Sequence, residues 1–226
     1  MKRFLVALIA VALLGGCAKT MQARSSEYSG FLEDYSRLER GEKHEAMYRW
    51  VSSDADWRAY DKILLDPIVL YRDAEAPRDL EADDAQQLLD YFYEKLYEEL
   101  AEDYEMVRQP APATLRVKVV MTKVNPAVGT VDTVSTVIPV GLGVAGVEWA
   151  LTGRPSFTGD VALEFRATDA MTSETLAEGI DRRVGGKNVG KGMSKWSDVR
   201  NAMDHWVKLV RYRLCVLSER EGCRKP

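Results

Sequence analysis

Three cysteines and two histidines are the residues best placed for redox, metal or nucleophilic chemistry in this 226-residue chain. Cys215 and Cys223 stand close together near the C-terminus. In a continuous helix their spacing would separate them by about 12 Å, beyond disulfide reach. A bond therefore requires the helix to stop within 218–222, where Gly222 offers a turn. Paired, they would close a short loop and stabilise the fold by roughly 2–3 kcal/mol. Unpaired, they would be held apart by a continued helix, and the sequence leaves both readings open. His44 and His205 have no Cys or His partner at metal-ligand spacing, so neither a metal nor another cofactor is expected. His205, beside Trp206, reads as helix surface or cap packing. Asp54 and Asp56 suit a turn before Trp57 better than a cation site. No G-x-S-x-G and no Cys–His pair is present. The run Gly141-Leu142-Gly143-Val144-Ala145-Gly146 fits G-x-G-x-x-G. Its context fails, because Pro139 breaks the preceding strand and no helix–strand unit with an acidic ribose ligand follows. These readings lead to the expectation of a protein that is not an enzyme.

The third cysteine, Cys17, points to a different chemistry. Lys2 and Arg3 precede an uncharged apolar run at 4–14, followed by Gly15 and Gly16. This is the pattern of an export signal, and the run falls short of the roughly 20 residues of a permanent span. Leu14-Gly15-Gly16-Cys17 resembles the lipobox of bacterial lipoproteins, the alternative being an ordinary secretory leader with an incidental cysteine. The resemblance implies that residues 1–16 are removed, that the Cys17 thiol takes a diacylglyceryl group and that its new amino group is acylated. Two or more acyl chains then hold a protein to a membrane stably, at about 0.8 kcal/mol per buried CH₂. Ala18, rather than Asp, follows the cysteine. By resemblance to the sorting rule of enteric-type bacteria, that implies the outer membrane, with the periplasmic face expected. Such a compartment is oxidising, which favours pairing of Cys215 with Cys223.

Charge and composition limit the partners. The chain carries 31 Lys and Arg against 35 Asp and Glu, a formal net charge of −4. Loss of Lys2 and Arg3 would make it more acidic still. This argues against nucleic-acid binding and against electrostatic attachment to anionic lipid. Attachment to the membrane is expected through the acyl chains alone. The segment 133–147 has no charged residue. Too short and too interrupted to span a bilayer, it reads either as buried packing or as a contact for a partner or a second copy. Val140, Leu142, Val144 and Val147, with Trp149 just beyond the segment, are the candidate interaction residues.

The elements that must position these residues follow from periodicity. Residues 62–71 are apolar on both faces and predict a central, doubly covered strand, with Pro67 a caution. Residues 83–103 predict an amphipathic helix with Ala85, Leu89, Phe92, Leu96 and Leu100 inward and an acidic outer face. Residues 114–124 and 157–168 alternate as strands. In the second, Val161, Leu163 and Phe165 point inward and Glu164 and Arg166 outward; 174–184 can return as its hairpin partner. Residues 195–217 predict a second helix with Trp196, Val199, Met203, Trp206, Val210 and Leu214 on one stripe. The aromatic stretch 29–60 reads as an arm packed onto the domain, with ligand binding as its alternative. The sum is one α/β (α+β) sandwich, a mixed sheet of about four strands backed by two helices. Its expected divisions are a leader (1–16), an anchor and tether (17–29), the domain (30–217) and a tail (218–226).

Ser29-Gly30-Phe31-Leu32, Asp34-Tyr35-Ser36-Arg37-Leu38, Tyr60-Asp61-Lys62 with Asp66-Pro67, Val137-Ile138-Pro139-Val140 and Ser194-Lys195-Trp196 carry a further likeness. With the lipobox, they resemble a family of uncharacterised bacterial lipoproteins, domain-of-unknown-function family 3313, over roughly 29–214. The resemblance implies address and fold and supplies no catalytic residue. The function expected is a non-enzymatic outer-membrane lipoprotein, an interaction or assembly module of the cell envelope. The alternative is an accessory lipoprotein that binds an envelope lipid or glycan.

Overall fold

The computed structural model describes residues 20–77, 80–127, 159–185 and 194–226. Cys17 and the segment holding Val140, Leu142, Val144, Val147 and Trp149 lie outside the described residues, as does the glycine motif at 141–146. The described chain forms a sheet of nine strands with two long helices on one face. The strands are β1 (Met21–Gln22), β2 (Glu39–Arg40), β3 (Tyr48–Val51), β4 (Lys62–Leu65), β5 (Val69–Glu75), β6 (Glu105–Met106), β7 (Thr114–Asn125), β8 (Asp160–Asp169) and β9 (Thr175–Val184). The helices are α1 (Ala82–Ala101) and α2 (Ser197–Leu217).

The sheet runs β2-β3-β9-β8-β7-β4-β6, with β1 added to β9 and β5 to β7. β4 and β5 pair parallel with β7, while β7, β8 and β9 are antiparallel. The sheet is therefore mixed and the class α+β, but with nine strands rather than about four. The extra strands β1, β2, β3 and β6 are two to four residues long. A stretch that short holds too few alternations to show a period of two.

The apolar stretch 62–71 is not one central strand. Asp66 N–H still bonds the Val117 carbonyl, Pro67 has no N–H to give, and pairing resumes at Val69 opposite Val120. β4 lies next to the short edge strand β6, and β5 pairs with β7 only.

Helix α1 buries Leu88, Phe92, Leu96 and Leu100; Leu89 and Ala85 are only partly covered. Helix α2 buries Val199, Ala202, Met203, Trp206, Val207, Leu209 and Leu214. The helices run side by side in the same direction. Asp84 of α1 accepts from Trp196 Nε1 and Lys195, Tyr91 donates to Asp204, and Arg211 reaches Glu99 and Asp103. Beneath them lie Leu115, Val117, Val119 and Met121 of β7. A bulge at Thr122 shifts the alternation and brings Val124 to the same side.

Two terminal stretches differ from expectation. Residues 20–29 are not a free tether: Thr20 is buried and β1 is hydrogen-bonded to β9. Residues 218–226 are not a free tail either. Ser218 is buried, its hydroxyl donating to the Trp57 carbonyl, and Arg220 lies over the Tyr104 ring. Helix α2 ends at Leu217, and the turn beyond it brings Cys215 and Cys223 to a Cα separation of 5.6 Å, where they are bonded.

Candidate functional site

The two faces of β8 and β9 carry two different kinds of site. Glu164 reads from alternation as solvent-facing, yet Glu164, Glu178 and Asp160 are all 0% exposed. The segment from Ser29 to β3 supplies partners to Glu164 and Glu178, while Asp160 lies under Arg182, which reaches the Ser25 carbonyl. A carboxylate so buried needs hydrogen-bond partners; Glu178 and Asp160 have arginines, and Glu164 has an N–H and a hydroxyl. Glu164 accepts from Ser29 N–H at 2.8 Å and from the Tyr35 hydroxyl at 2.7 Å. That hydroxyl in turn accepts from Gly30 and Leu32 N–H, so the arm is wound around one phenol oxygen. Gly30 sits at φ +86, a conformation that suits glycine. Burial, followed by the Glu164 hydrogen bond, pushes the Tyr35 hydroxyl above its ordinary pKa.

Glu178 is held by Arg37 at 2.6 Å and Arg166 at 3.2 Å. Arg37 stacks over Trp50 at 4.0 Å, and Arg166 lies over Phe31 at 5.7 Å. Asp160 accepts both Nε and Nη2 of Arg182, with Lys123 at 3.4 Å. The arm's aromatic residues therefore act as lids on an ionic layer. This layer was hidden from sequence reasoning because alternation reports which face a residue takes, not what covers that face.

The helix-facing side holds the second site. A cavity of about 130 Å³ lies between the sheet and the two helices, lined by Phe92, Leu96, Leu115, Leu163, Trp206 and Leu214 among others. Gly179 of β9 belongs to this side; a side chain there would meet the Tyr48 carbonyl at 2.5 Å and the Phe165 ring at 2.9 Å. Charged residues rim the cavity. Glu45 precedes β3, Arg49 lies on β3 and Arg213 on α2. Arg49 Nε and Arg213 Nη2 both reach the Glu45 carboxylate at 2.7 Å. Burial works against the charged form of Glu45, but the Glu42 N–H and the two arginines outweigh it and hold the carboxyl below its usual range.

Asp181 also reaches the cavity wall. Its oxygens accept from Trp206 Nε1 at 2.6 Å, Gln22 Nε2 at 2.7 Å and Met47 N–H at 2.9 Å, with Arg183 at 3.8 Å. Burial pushes its carboxyl up in spite of them. Arg183 is tied to Thr20 through Nε and Nη2.

Of the residues singled out in the sequence, Cys215 and Cys223 are joined to each other. His44 packs edge-on to Tyr212, and His205 lies on α2 beside the Trp206 that serves Asp181. Among the described residues, no group of three His, Cys, Asp or Glu side chains is arranged to hold a metal ion, and no helix is long and apolar enough to cross a membrane.

Comparison with known proteins places the chain in a family. An uncharacterised lipoprotein of Escherichia coli K12, YdcL, is 27% identical over 185 residues, covering 81% of this chain and 82% of its own. Among solved structures, a PelC dodecamer from Paraburkholderia phytofirmans overlaps 77% of this chain and 98% of its own at 11% identity, with a TM-score of 0.38. A hypothetical protein of Chlamydia trachomatis overlaps 71% and 99% at 9% identity, with a TM-score of 0.41. Residues 27–210, most of the chain and the whole of the sheet from β2 to β9, match one family throughout, and the chain therefore belongs to the proteins of unknown function grouped as DUF3313.

Proposed function

We propose that this protein is a lipid-anchored interaction module of the bacterial outer membrane, facing the periplasm and working without catalysis. The observation that carries the reading is how soon after Cys17 the described chain is packed into the sheet. Thr20 is buried against Arg183 and β1 pairs with β9, only three residues after Cys17. Three residues reach at most about 10 Å. Acyl chains on Cys17 would therefore hold the domain against the bilayer rather than on a long leash. The likeness to a lipoprotein supports the anchor. The buried carboxylates support a structural role over a catalytic one, since each is already committed to arginine, lysine, hydroxyl or N–H partners. The partner would be an envelope protein or a second copy, met through the apolar stretch that carries Val140, Leu142, Val144, Val147 and Trp149.

Metabolic labelling with an alkyne fatty acid tests the anchor: wild type takes the label and Cys17→Ser does not. Density fractionation of envelopes then tests the address. Wild type is expected with the outer membrane, and Ala18→Asp is expected to move to the inner one. Label retained on Cys17→Ser would sink the anchor. In-cell crosslinking from positions 140–149 tests the module: crosslinks confined to a single chain would remove the partner.

A further inference from the structure

We propose that the cavity between the sheet and the helices binds a small anionic amphiphile, its apolar part among Phe92, Leu163 and Trp206 and its negative head at Arg49 and Arg213. This goes beyond the anchoring role and does not depend on Cys17.

Three observations converge on that ligand class. The wall is built almost wholly from apolar side chains of both layers, so water gains little there. At about 130 Å³ the space is close to the roughly 150 Å³ of an apolar protein cavity known to accept a benzene ring. It therefore suits one ring or a short alkyl chain, not a whole diacyl lipid. The charge at the rim is unbalanced. Two guanidiniums, Arg49 and Arg213, share the single Glu45 carboxylate, which also takes the Glu42 N–H. The other carboxylate on the wall, Asp181, faces Arg183 and is occupied by Trp206, Gln22 and Met47. Arg49 and Arg213 thus outnumber the one carboxylate they both reach, with Glu39 opposite Arg49 in the β2–β3 register, and both arginine side chains keep about a quarter of their surface in water. A carboxylate or phosphate monoester head meets that surplus through charge-assisted hydrogen bonds, while its tail replaces the missing contacts of the void.

The test uses the full chain in nanodiscs, with empty nanodiscs as the partition control, titrated with 8-bromooctanoate. Bromine quenches tryptophan on contact, and Trp57 and Trp206 both line the cavity. Saturable quenching is expected. Ala177→Leu, which fills the wall, should abolish it while the thermal midpoint holds or rises. Arg213→Gln and Arg49→Gln should each weaken it about tenfold, the worth of one charged hydrogen bond. Glu45→Gln, which releases both arginines, should tighten it, a gain that a merely structural Glu45 would not give. Quenching that never saturates, or that survives Ala177→Leu unchanged, overturns the proposal. Equal affinity for 8-bromooctanol overturns the assignment of the head.

Discussion

The two faces of β8 are equally well buried and are closed by opposite means. Toward the helices, Val161 and Leu163 join the apolar core that also takes in the buried faces of α1 and α2, through non-directional contact. Toward the arm, Asp160 and Glu164 are sealed by oriented, charge-assisted hydrogen bonds. The apolar face tolerates an imperfect fit, and it contains a void. The ionic face has no such latitude, because every carboxylate needs its particular donor. The helices provide burial, whereas the arm provides a unique register for β3 on β9 and for the loop around Tyr35.

That contrast can be broken most sharply at Glu178. Arg166→Met leaves this buried carboxylate with Arg37 alone, and urea unfolding should show a loss of about 3–5 kcal/mol. The double change Arg166→Met with Glu178→Met should recover much of it, since Arg37 is partly exposed and can turn to water. A double variant worse than the single one would mean that the ionic layer contributes net stability. On the opposite face of the same strand, Leu163→Ala should cost about 2–5 kcal/mol. Its cost should be independent of salt, unlike that of the arginine variant.

Tyr35→Phe removes the oxygen that gathers Gly30, Leu32 and Glu164. The expected loss is about 1–3 kcal/mol, with amide exchange accelerated in the arm and unchanged in α2. Uniform acceleration would show that the arm and the helical layer unfold as one unit.

The smallest effects lie in the shape of the pH profile, and they have opposite signs. Glu45 is held below its ordinary value of 4.5, so its contribution is complete above pH 4.5 and is lost as pH falls through the folded value. Asp181 is raised above 3.8 by burial, so its proton uptake favours the fold near pH 3.8 and that stability is lost as pH rises. Urea midpoints between pH 3 and 7 should show a shallower acid limb for Glu45→Gln and a smaller decline with rising pH for Asp181→Asn.

The apolar side of this comparison was legible in the chain itself. Phe92, Leu96 and Leu100 on one helix, Met203, Trp206 and Leu214 on the other, and the alternation of β7 and β8 all announce the buried stripe. At its start the α1 stripe differs from the periodicity by one position, with Leu88 buried and Leu89 only partly covered. The cavity was not legible. It is a deficit of volume between three elements, and no element's periodicity records it. Of the rim, Glu45, Arg49 and Arg213 are ordinary surface residues in sequence, 164 positions apart from Arg49 to Arg213 in the chain, and only the packing of β3 against α2 brings them together.

The sequence by itself determined the two helices, the three long strands and the family. Each of these rests on a local period or a contiguous motif. The tertiary structure alone decided that Met21 and Gln22 belong to the sheet, that Pro67 splits a strand, and that Glu164, Glu178 and Asp160 are interior residues. The physical reason is the same for the short strand and for the carboxylates. A carboxylate has one side chain whether it faces water or arginine, and a two-residue strand has no period. What distinguishes them is the partner that arrives from elsewhere in the chain.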